Sequence, residues 1–345
     1  MSEDPANAVR GHSGRRRLIV QLIWLAITGV SLYLLFPSLA EVFSAGPRLQ
    51  TVAWEWVAAG TISFLISLAC VWLLQRIMLR SGGWFDIATS HLAGNAVGRI
   101  IPGGGATAAA LQFQMLMQAG VNTTRVASTV TATQVLSLAT LAALPVVGLL
   151  FLFDEGPVAG NLIAGAWIGA SAFVVLFILG IVFFVWTTPL RTVGRVVQLV
   201  WNRLVPKKRL IGTGNRLVRE RDRLREALLD RWVEALAASV GKWLFDYLTL
   251  LAALRAVDST PDPALVLLAF ALASLLALIP LTPGGLGFVE AGLTGTLVLA
   301  GVSTGDAVLA TLVYRLISFW MPIPLGGAAY VAFRWRLRRR RPRTA

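Results

Sequence analysis

An all-α, polytopic membrane protein is what this sequence predicts. Three observations carry that reading: an excess of apolar residues, apolar runs of bilayer length, and basic residues concentrated at the flanks of those runs. Of 345 residues, 56% are hydrophobic and 14% charged, and the mean hydropathy is +0.71, well above the roughly even apolar share of a soluble domain. A disordered chain is thereby excluded and an ordinary soluble enzyme disfavoured. The formal net charge of +14 would suggest nucleic acid in a soluble chain, but its location says otherwise. Of 31 basic residues, four precede residue 18, two are Arg76 and Arg80, twelve lie between Arg191 and Arg231, and seven between Arg334 and Arg343. Charge so placed flanks membrane segments and orients them. No nucleic-acid partner is expected, because no aromatic platform accompanies the basic residues. Cys70 is the single cysteine, so neither an internal disulfide nor a cysteine metal site can form.

A spanning helix needs about 20 mostly apolar residues, and six runs qualify: 18–39, 52–74, 126–153, 162–186, 232–254 and 307–333. The first follows Arg15, Arg16 and Arg17; its length exceeds the roughly 7 to 15 residues of a signal-peptide core, which favours an uncleaved anchor over a cleaved leader. Trp54, Trp56, Trp186, Trp232 and Trp335 sit at run ends, where an interfacial aromatic belt belongs. With residues 1–17 inside, Arg76 and Arg80 follow run two, Asp154 and Glu155 run three, Arg191 and Arg195 run four, Asp258 and Asp262 run five, and Arg334 run six. The positive-inside rule then puts both termini in the cytoplasm.

That orientation requires two further apolar stretches, 84–120 and 264–301, to enter and leave on one side each. Both break in the middle, at Ile101-Pro102-Gly103-Gly104-Gly105 and from Pro280 to Gly287. Their legs are too short to span comfortably, so re-entrant hairpins are expected, the first open to the cytoplasm and the second to the outside. The chain divides accordingly into a basic tail (1–17), a first membrane half (18–189), a basic linker (190–230) with a charged helical stretch over 215–230, a second membrane half (231–335) and an Arg-rich tail (336–345).

The two halves resemble each other at one fixed offset of 181 residues: Pro102-Gly103-Gly104 with Pro283-Gly284-Gly285, Ala119-Gly120-Val121 with Ala300-Gly301-Val302, and Thr123 with Thr304. The offset also pairs Gln134 with Arg315. Opposite orientations would make the repeat inverted, an arrangement that secondary transporters use for alternating access.

Candidate site residues follow from membrane depth. His91, Asn95 and Arg99 recur at i, i+4 and i+8, hence on one helical face. An arginine at that depth should face protein, water or a phosphate, unless the leg is shallow and the side chain snorkels. The tips Gly103, Gly104, Gly105 and Gly284, Gly285, Gly287 would aim helix N-terminal amides toward the midplane, a place for an anionic oxygen; the alternative is glycine serving only to turn and pack the chain. Neither tip is a nucleotide loop, since no Gly-Lys-Ser/Thr follows. Glu290, Tyr314 and Arg315 are further intramembrane candidates, with a mutual Glu290–Arg315 salt bridge as the structural alternative. Thr311, Arg315, Ser318 and Pro322 share a face, and Lys242, Asp246 and Thr249 another; Lys242, Asp246 and Glu290 read as an ion or proton path, or Lys242 and Asp246 as a structural pair. With two histidines and no hydrolase or metalloprotease motif, no catalytic residues, metal or cofactor are expected.

At Pro280-Leu-Thr-Pro-Gly-Gly-Leu-Gly-Phe-Val-Glu290, with Ala300-Gly-Val, Tyr314-Arg315 and Pro322 downstream, the sequence resembles the lysylphosphatidylglycerol synthase transmembrane family. That family includes the flippase part of the bacterial multiple peptide resistance factor. The resemblance implies a stand-alone flippase-like member without the synthase domain, not an enzyme, and it marks Pro283, Gly284, Gly285, Gly287, Glu290 and Arg315 as motif positions. The first hairpin departs from the pattern: many members follow the proline with Gly-Glu and a downstream arginine, whereas Pro102 here leads into Gly103-Gly104-Gly105-Ala106-Thr107. The expected function is movement of a phosphate-bearing lipid or polyprenyl-linked amphiphile between leaflets of the bacterial inner (plasma) membrane. Its partners would be membrane lipids, with a homo-oligomer or a lipid-modifying enzyme as further candidates. The alternative is a non-transporting scaffold for a lipid-modifying enzyme or glycosyltransferase.

Overall fold

The computed structural model describes residues 52–80, 82–101, 104–151, 187–204, 231–278 and 283–340, with scattered positions between 171 and 222. The predicted runs 18–39 and 162–186, the tail 1–17, Gly103 and most of the 215–230 stretch lie outside the described residues. Every regular element described is helical: α1 (Trp54–Leu79), α2 (Trp84–Ile100), α3 (Gly104–Gln118), α4 (Thr123–Phe151), α5 (Thr187–Leu204), α6 (Trp232–Ala256), α7 (Pro263–Leu276), α8 (Phe288–Leu299), α9 (Thr304–Arg315) and α10 (Pro322–Arg340). A 3-10 turn, Pro283–Gly285, precedes α8, and a π-turn, Leu316–Trp320, joins α9 to α10 into one 36-residue helical span, Thr304–Arg339. With α1, α4 and α6, that span makes four helices long and apolar enough to cross a membrane among the described residues. They coincide with the second, third, fifth and sixth predicted runs. Trp54, Trp232 and Trp335 are exposed at or near helix ends, as interfacial anchors should be.

The helix ends have local causes. α2 stops at Ile101, which is extended because a residue before proline is excluded from the helical region. α7 starts where Asp262 Oδ1 accepts from the Ala264 and Leu265 N–H groups, with Pro263 as the first helical residue, a standard N-cap. Two differences from the sequence reading concern the polar segments. α5 begins before the expected linker boundary at residue 189, and α10 stays helical through the first residues of the expected tail, to Arg340. The second follows from Arg being a good helix former, so that backbone hydrogen bonding continues after hydropathy ends.

The stretches expected to be hairpins are helix–break–helix units. α2 and α3 form the first and pack so closely that a Cβ at Gly98 would stand 2.7 Å from the Gly104 carbonyl oxygen. α7 and α8 form the second, which closes around Leu268, Phe270, Leu293 and Leu297, with Leu250 and Leu254 of α6 and Ala307 and Ala310 of α9. This is the largest buried apolar cluster among the described residues.

The 181-residue offset reappears in the geometry. Ala119, Gly120 and Val121 N–H groups donate to the carbonyls of Met115, Met117 and Leu116; Ala300, Gly301 and Val302 donate to those of Thr296, Val298 and Leu297. Gly120 and Gly301 adopt φ of 91° and 88°, the left-handed conformation that ends helices at glycine. Two residues after each glycine a side chain caps the following helix, Asn122 through Thr124 N–H and Ser303 through Asp306 N–H. Between these units α1 and α6 cross antiparallel. Ser63 Oγ donates to the Phe245 carbonyl and Ser67 Oγ to that of Lys242, hydroxyl bonding that suits close helix approach in lipid, while Thr249 Oγ1, which donates to the Phe245 carbonyl at 2.8 Å, also comes within 3.3 Å of that of Gly60.

α10 holds the first hairpin in place. A Cβ at Gly326 would lie 2.4 Å from both the Leu92 carbonyl oxygen and Ala96 Cβ, whereas one at Gly327 would meet nothing within 4 Å. Gly326→Val should therefore separate α10 from α2 and destabilise the fold by about 1–3 kcal/mol, while Gly327→Val leaves it near wild type. Thermal unfolding of the two variants in mild detergent reads the contrast; equal transitions would contradict the packing.

Candidate functional site

The polar face of α2 is turned into the protein. His91, Asn95 and Arg99 line a cavity of about 410 Å³ together with Gln75 of α1, Gly104 and Gly105 of α3, Thr133 and Gln134 of α4, Lys242 and Trp243 of α6, and Gly284 from the second break. An adjoining cavity of about 300 Å³ shares His91, Asn95, Arg99, Lys242 and Trp243 and adds Asp246, Tyr314, Arg315 and Ser318. The two glycine-bearing breaks therefore meet on one polar space, although they are far apart in sequence.

Each charged group has a defined setting. Arg315 Nε donates to Glu290 Oε1 at 2.7 Å, and its Nη2 to the Gly284 carbonyl at 3.3 Å. Both side chains are about nine-tenths buried, so the salt bridge expected as the structural alternative is present. It has a second task, because the Gly284 carbonyl belongs to a break where no helix supplies a donor. Gly284 has φ of 62°, and a Cβ there would lie within 2.7 Å of Phe319 and of the Arg99 carbonyl oxygen; only glycine fits. Lys242 Nζ donates to Asp246 Oδ2 at 3.3 Å, the other expected pair. Asp246 Oδ1 and Glu290 Oε2 are buried without hydrogen-bond partners among the described residues.

Arg99 differs from the other two cations. Its Nε donates to Asn95 Oδ1 at 2.5 Å, and its guanidinium carbon sits 5.2 Å from the centre of the Phe319 ring. The Arg315 guanidinium stands 4.2 Å from the centre of the same ring, so one aromatic side chain serves two cations. Among the described residues no carboxylate lies within ion-pair distance of Arg99. Three cationic and two carboxylate side chains thus leave one positive charge on the cavity wall. The side chain lines both cavities, so it does not reach away from them as a snorkelling arginine would.

His91 Nδ1 accepts from the Trp72 indole N–H at 3.2 Å. Because indole only donates, this bond assigns the imidazole proton to Nε2. Gln112 Nε2 donates to Gln75 Oε1 at 2.8 Å between α3 and α1. Among the described residues no three His, Cys, Asp or Glu side chains gather where they could share a metal ion.

The structure brings together Arg99, Asn95, His91, Gly104, Gly105, Gly284, Tyr314, Arg315, Lys242 and Asp246. Gly285 and Gly287 do not line either cavity; they carry the left-handed turns that lead into α8. Glu290 is spent on Arg315 and reaches the site through it. Sequence reasoning missed Trp72, Trp243 and Phe319. Trp72 left no clear trace, since it lies two residues from the end of the predicted run 52–74, where a tryptophan reads as interfacial; only the extension of α1 to Leu79 puts it inside the helix. Phe319 left none, because the π-turn changes the angular register between Arg315 and the residues after it.

Over residues 21–326 the chain matches the family described as Lysylphosphatidylglycerol synthase TM region. The chain belongs to that family. Proteins described as UPF0104 membrane protein, from Methanothermobacter thermautotrophicus, are also similar. One match is 48% identical over 64 residues, covering 19% of this chain and 19% of the relative. Others are 35% identical over 88 residues, covering 26% of each, and 28% identical over 109 residues, covering 31% of each. These matched stretches span less than a third of the relatives' length. Family membership and the apolar helices together make this a multi-pass membrane protein.

Removing one member of the buried Arg315–Glu290 pair strands the other. Glu290→Gln should lower stability by about 3–5 kcal/mol, and the Glu290→Met, Arg315→Met double variant should recover part of that loss. Thermal denaturation in detergent checks this; a double variant less stable than the single one would contradict it.

Proposed function

We propose that this protein is a lipid flippase that moves a phosphate-bearing lipid or polyprenyl-linked amphiphile between membrane leaflets without catalysing a chemical step. The observation that carries the reading is Arg99, a cation on the wall of an intramembrane cavity, next to an already neutralised Arg315. A cation held in that position without a carboxylate is suited to an anionic oxygen, and one net positive charge matches the single charge of a phosphodiester. The Gly104 N–H donates to the Ile101 carbonyl, so in this proposal it is the Gly105 end of α3, on the cavity wall, whose amide adds a donor to that oxygen. Asp246, which lines the smaller polar cavity, offers Oδ1 as the acceptor for a proton or for a cationic part of the headgroup.

The architecture supports the same reading. Two helix–break–helix units with legs of 17, 15, 14 and 12 residues are too short to span in single legs. Backbone breaks at membrane depth are tolerated where they line a protein-enclosed cavity. In our proposal the hairpins are re-entrant, six helices span, both termini are cytoplasmic, and the turns matched at 181 residues belong to an inverted repeat whose halves exchange conformation during transport. The location proposed is the bacterial inner membrane, with lipids as partners.

The test is leaflet exchange of a fluorescent phosphodiester lipid in proteoliposomes. Arg99→Ala should lower the rate at least about tenfold, the effect of losing some 1.4 kcal/mol of binding, and Arg99→Lys should retain part of it. A wild-type rate in correctly folded Arg99→Ala protein would discard the phosphate role and favour a scaffold that transports nothing.

A further inference from the structure

Beside the polar cavities lies a third space of quite different chemistry. A groove of about 810 Å³ runs between α4 and α6 and ends against the start of α7, with Ala143, Val147, Val240, Leu244 and Leu267 among its walls. It opens at the surface, since Val147, Val240 and Leu244 are exposed. The hydrogen-bonding groups on its wall are engaged elsewhere. Thr140 Oγ1 pairs with Ser239 Oγ, Tyr247 OH donates to the Pro263 carbonyl at 2.6 Å, Asp262 Oδ1 caps α7, and Trp243 Nε1 donates to the Ser137 carbonyl at 2.8 Å. An occupant of this groove has little to hydrogen-bond with and is held by apolar contact.

Its dimensions and position narrow the occupant further. From Leu136 to Phe151 the α4 wall is about 22 Å long at about 1.5 Å per residue, enough for the roughly 15 Å depth of one leaflet's hydrocarbon. Trp243 lines the groove and both polar cavities. Ser137, whose carbonyl holds the Trp243 indole, lines the larger cavity. One side chain on α6, hydrogen-bonded to α4, therefore separates a hydrocarbon slot from the space that holds Arg99.

Resting on the flippase reading, we infer that this groove binds a hydrocarbon chain of the same lipid whose phosphate Arg99 takes, and that Trp243 is the partition its headgroup passes. Headgroup and chain then occupy adjoining compartments of opposite polarity. The headgroup crosses through protein while the chain stays in an apolar slot continuous with the bilayer.

The experiment compares two phosphodiester lipids with one headgroup, dioleoyl and dihexanoyl phosphatidylglycerol, by native mass spectrometry of the full chain in mild detergent. Ala143→Trp and, independently, Val240→Trp fill the groove. Each should weaken dioleoyl lipid by about tenfold and leave the dihexanoyl lipid nearly unchanged, whereas Arg99→Ala should weaken both. Unchanged dioleoyl affinity in both filled variants, or equal loss of both lipids, overturns the groove assignment while leaving the Arg99 site standing. Wild-type binding of both lipids in Arg99→Ala protein overturns the phosphate site instead. Trp243→Phe keeps an aromatic ring, smaller than the indole, and removes the donor; it should raise the dioleoyl exchange rate in vesicles severalfold at unchanged affinity, and an unchanged or lower rate removes the partition role.

Discussion

A helix that breaks inside a membrane leaves backbone carbonyls and amides without partners, and hydrocarbon supplies none. Among the described residues of the second break, the Gly284 carbonyl accepts from Arg315 Nη2 while Nε meets Glu290. Much of the site hangs on this contact. It fixes the Pro283–Gly285 turn against Phe319, and the lack of a Cβ on Gly284 lets the turn approach within contact of the Arg99 backbone. The same guanidinium shares Phe319 with Arg99. The two hairpins thus meet through an arginine, a glycine and a ring.

The arrangement has an electrostatic consequence. Arginines near each other repel, and burial in low dielectric increases the repulsion. Glu290 removes that difficulty for Arg315, and Asp246 does so for Lys242. The cavity can therefore concentrate cationic groups while keeping one of them, Arg99, available. The π-turn after Arg315 serves the same end, because it adds a residue to the turn and carries Phe319 to the face that both arginines reach.

Packing around the cavity is made from small residues and hydroxyls. Gly98, Gly326 and the serines of α1 let helices approach until backbones touch. Such contacts are selective for shape and weak in hydrophobic drive, since lipid tails are as apolar as leucine. Helices joined this way can exchange one packing for another, which a transporter requires. α7 and α8, packed through Leu268, Phe270, Leu293 and Leu297 on α6, present the more extensive apolar contact.

By itself the sequence determined the membrane class, the four spans found among the described residues, the positions of the helix breaks, and the face shared by His91, Asn95 and Arg99. It also offered the Arg315–Glu290 and Lys242–Asp246 pairs as alternatives. All of these rest on local physics: hydropathy over a bilayer's thickness, the backbone limits of proline and glycine, and helical periodicity, none of which needs a distant partner. Only the tertiary structure decided that the two breaks meet on one cavity, that Trp72 holds His91, that Phe319 lies between two arginines, and that Trp243 stands between polar and apolar spaces. Those contacts join residues on different helices or across a π-turn, and their geometry is set by how all the helices pack together, a sum that no single stretch of sequence contains.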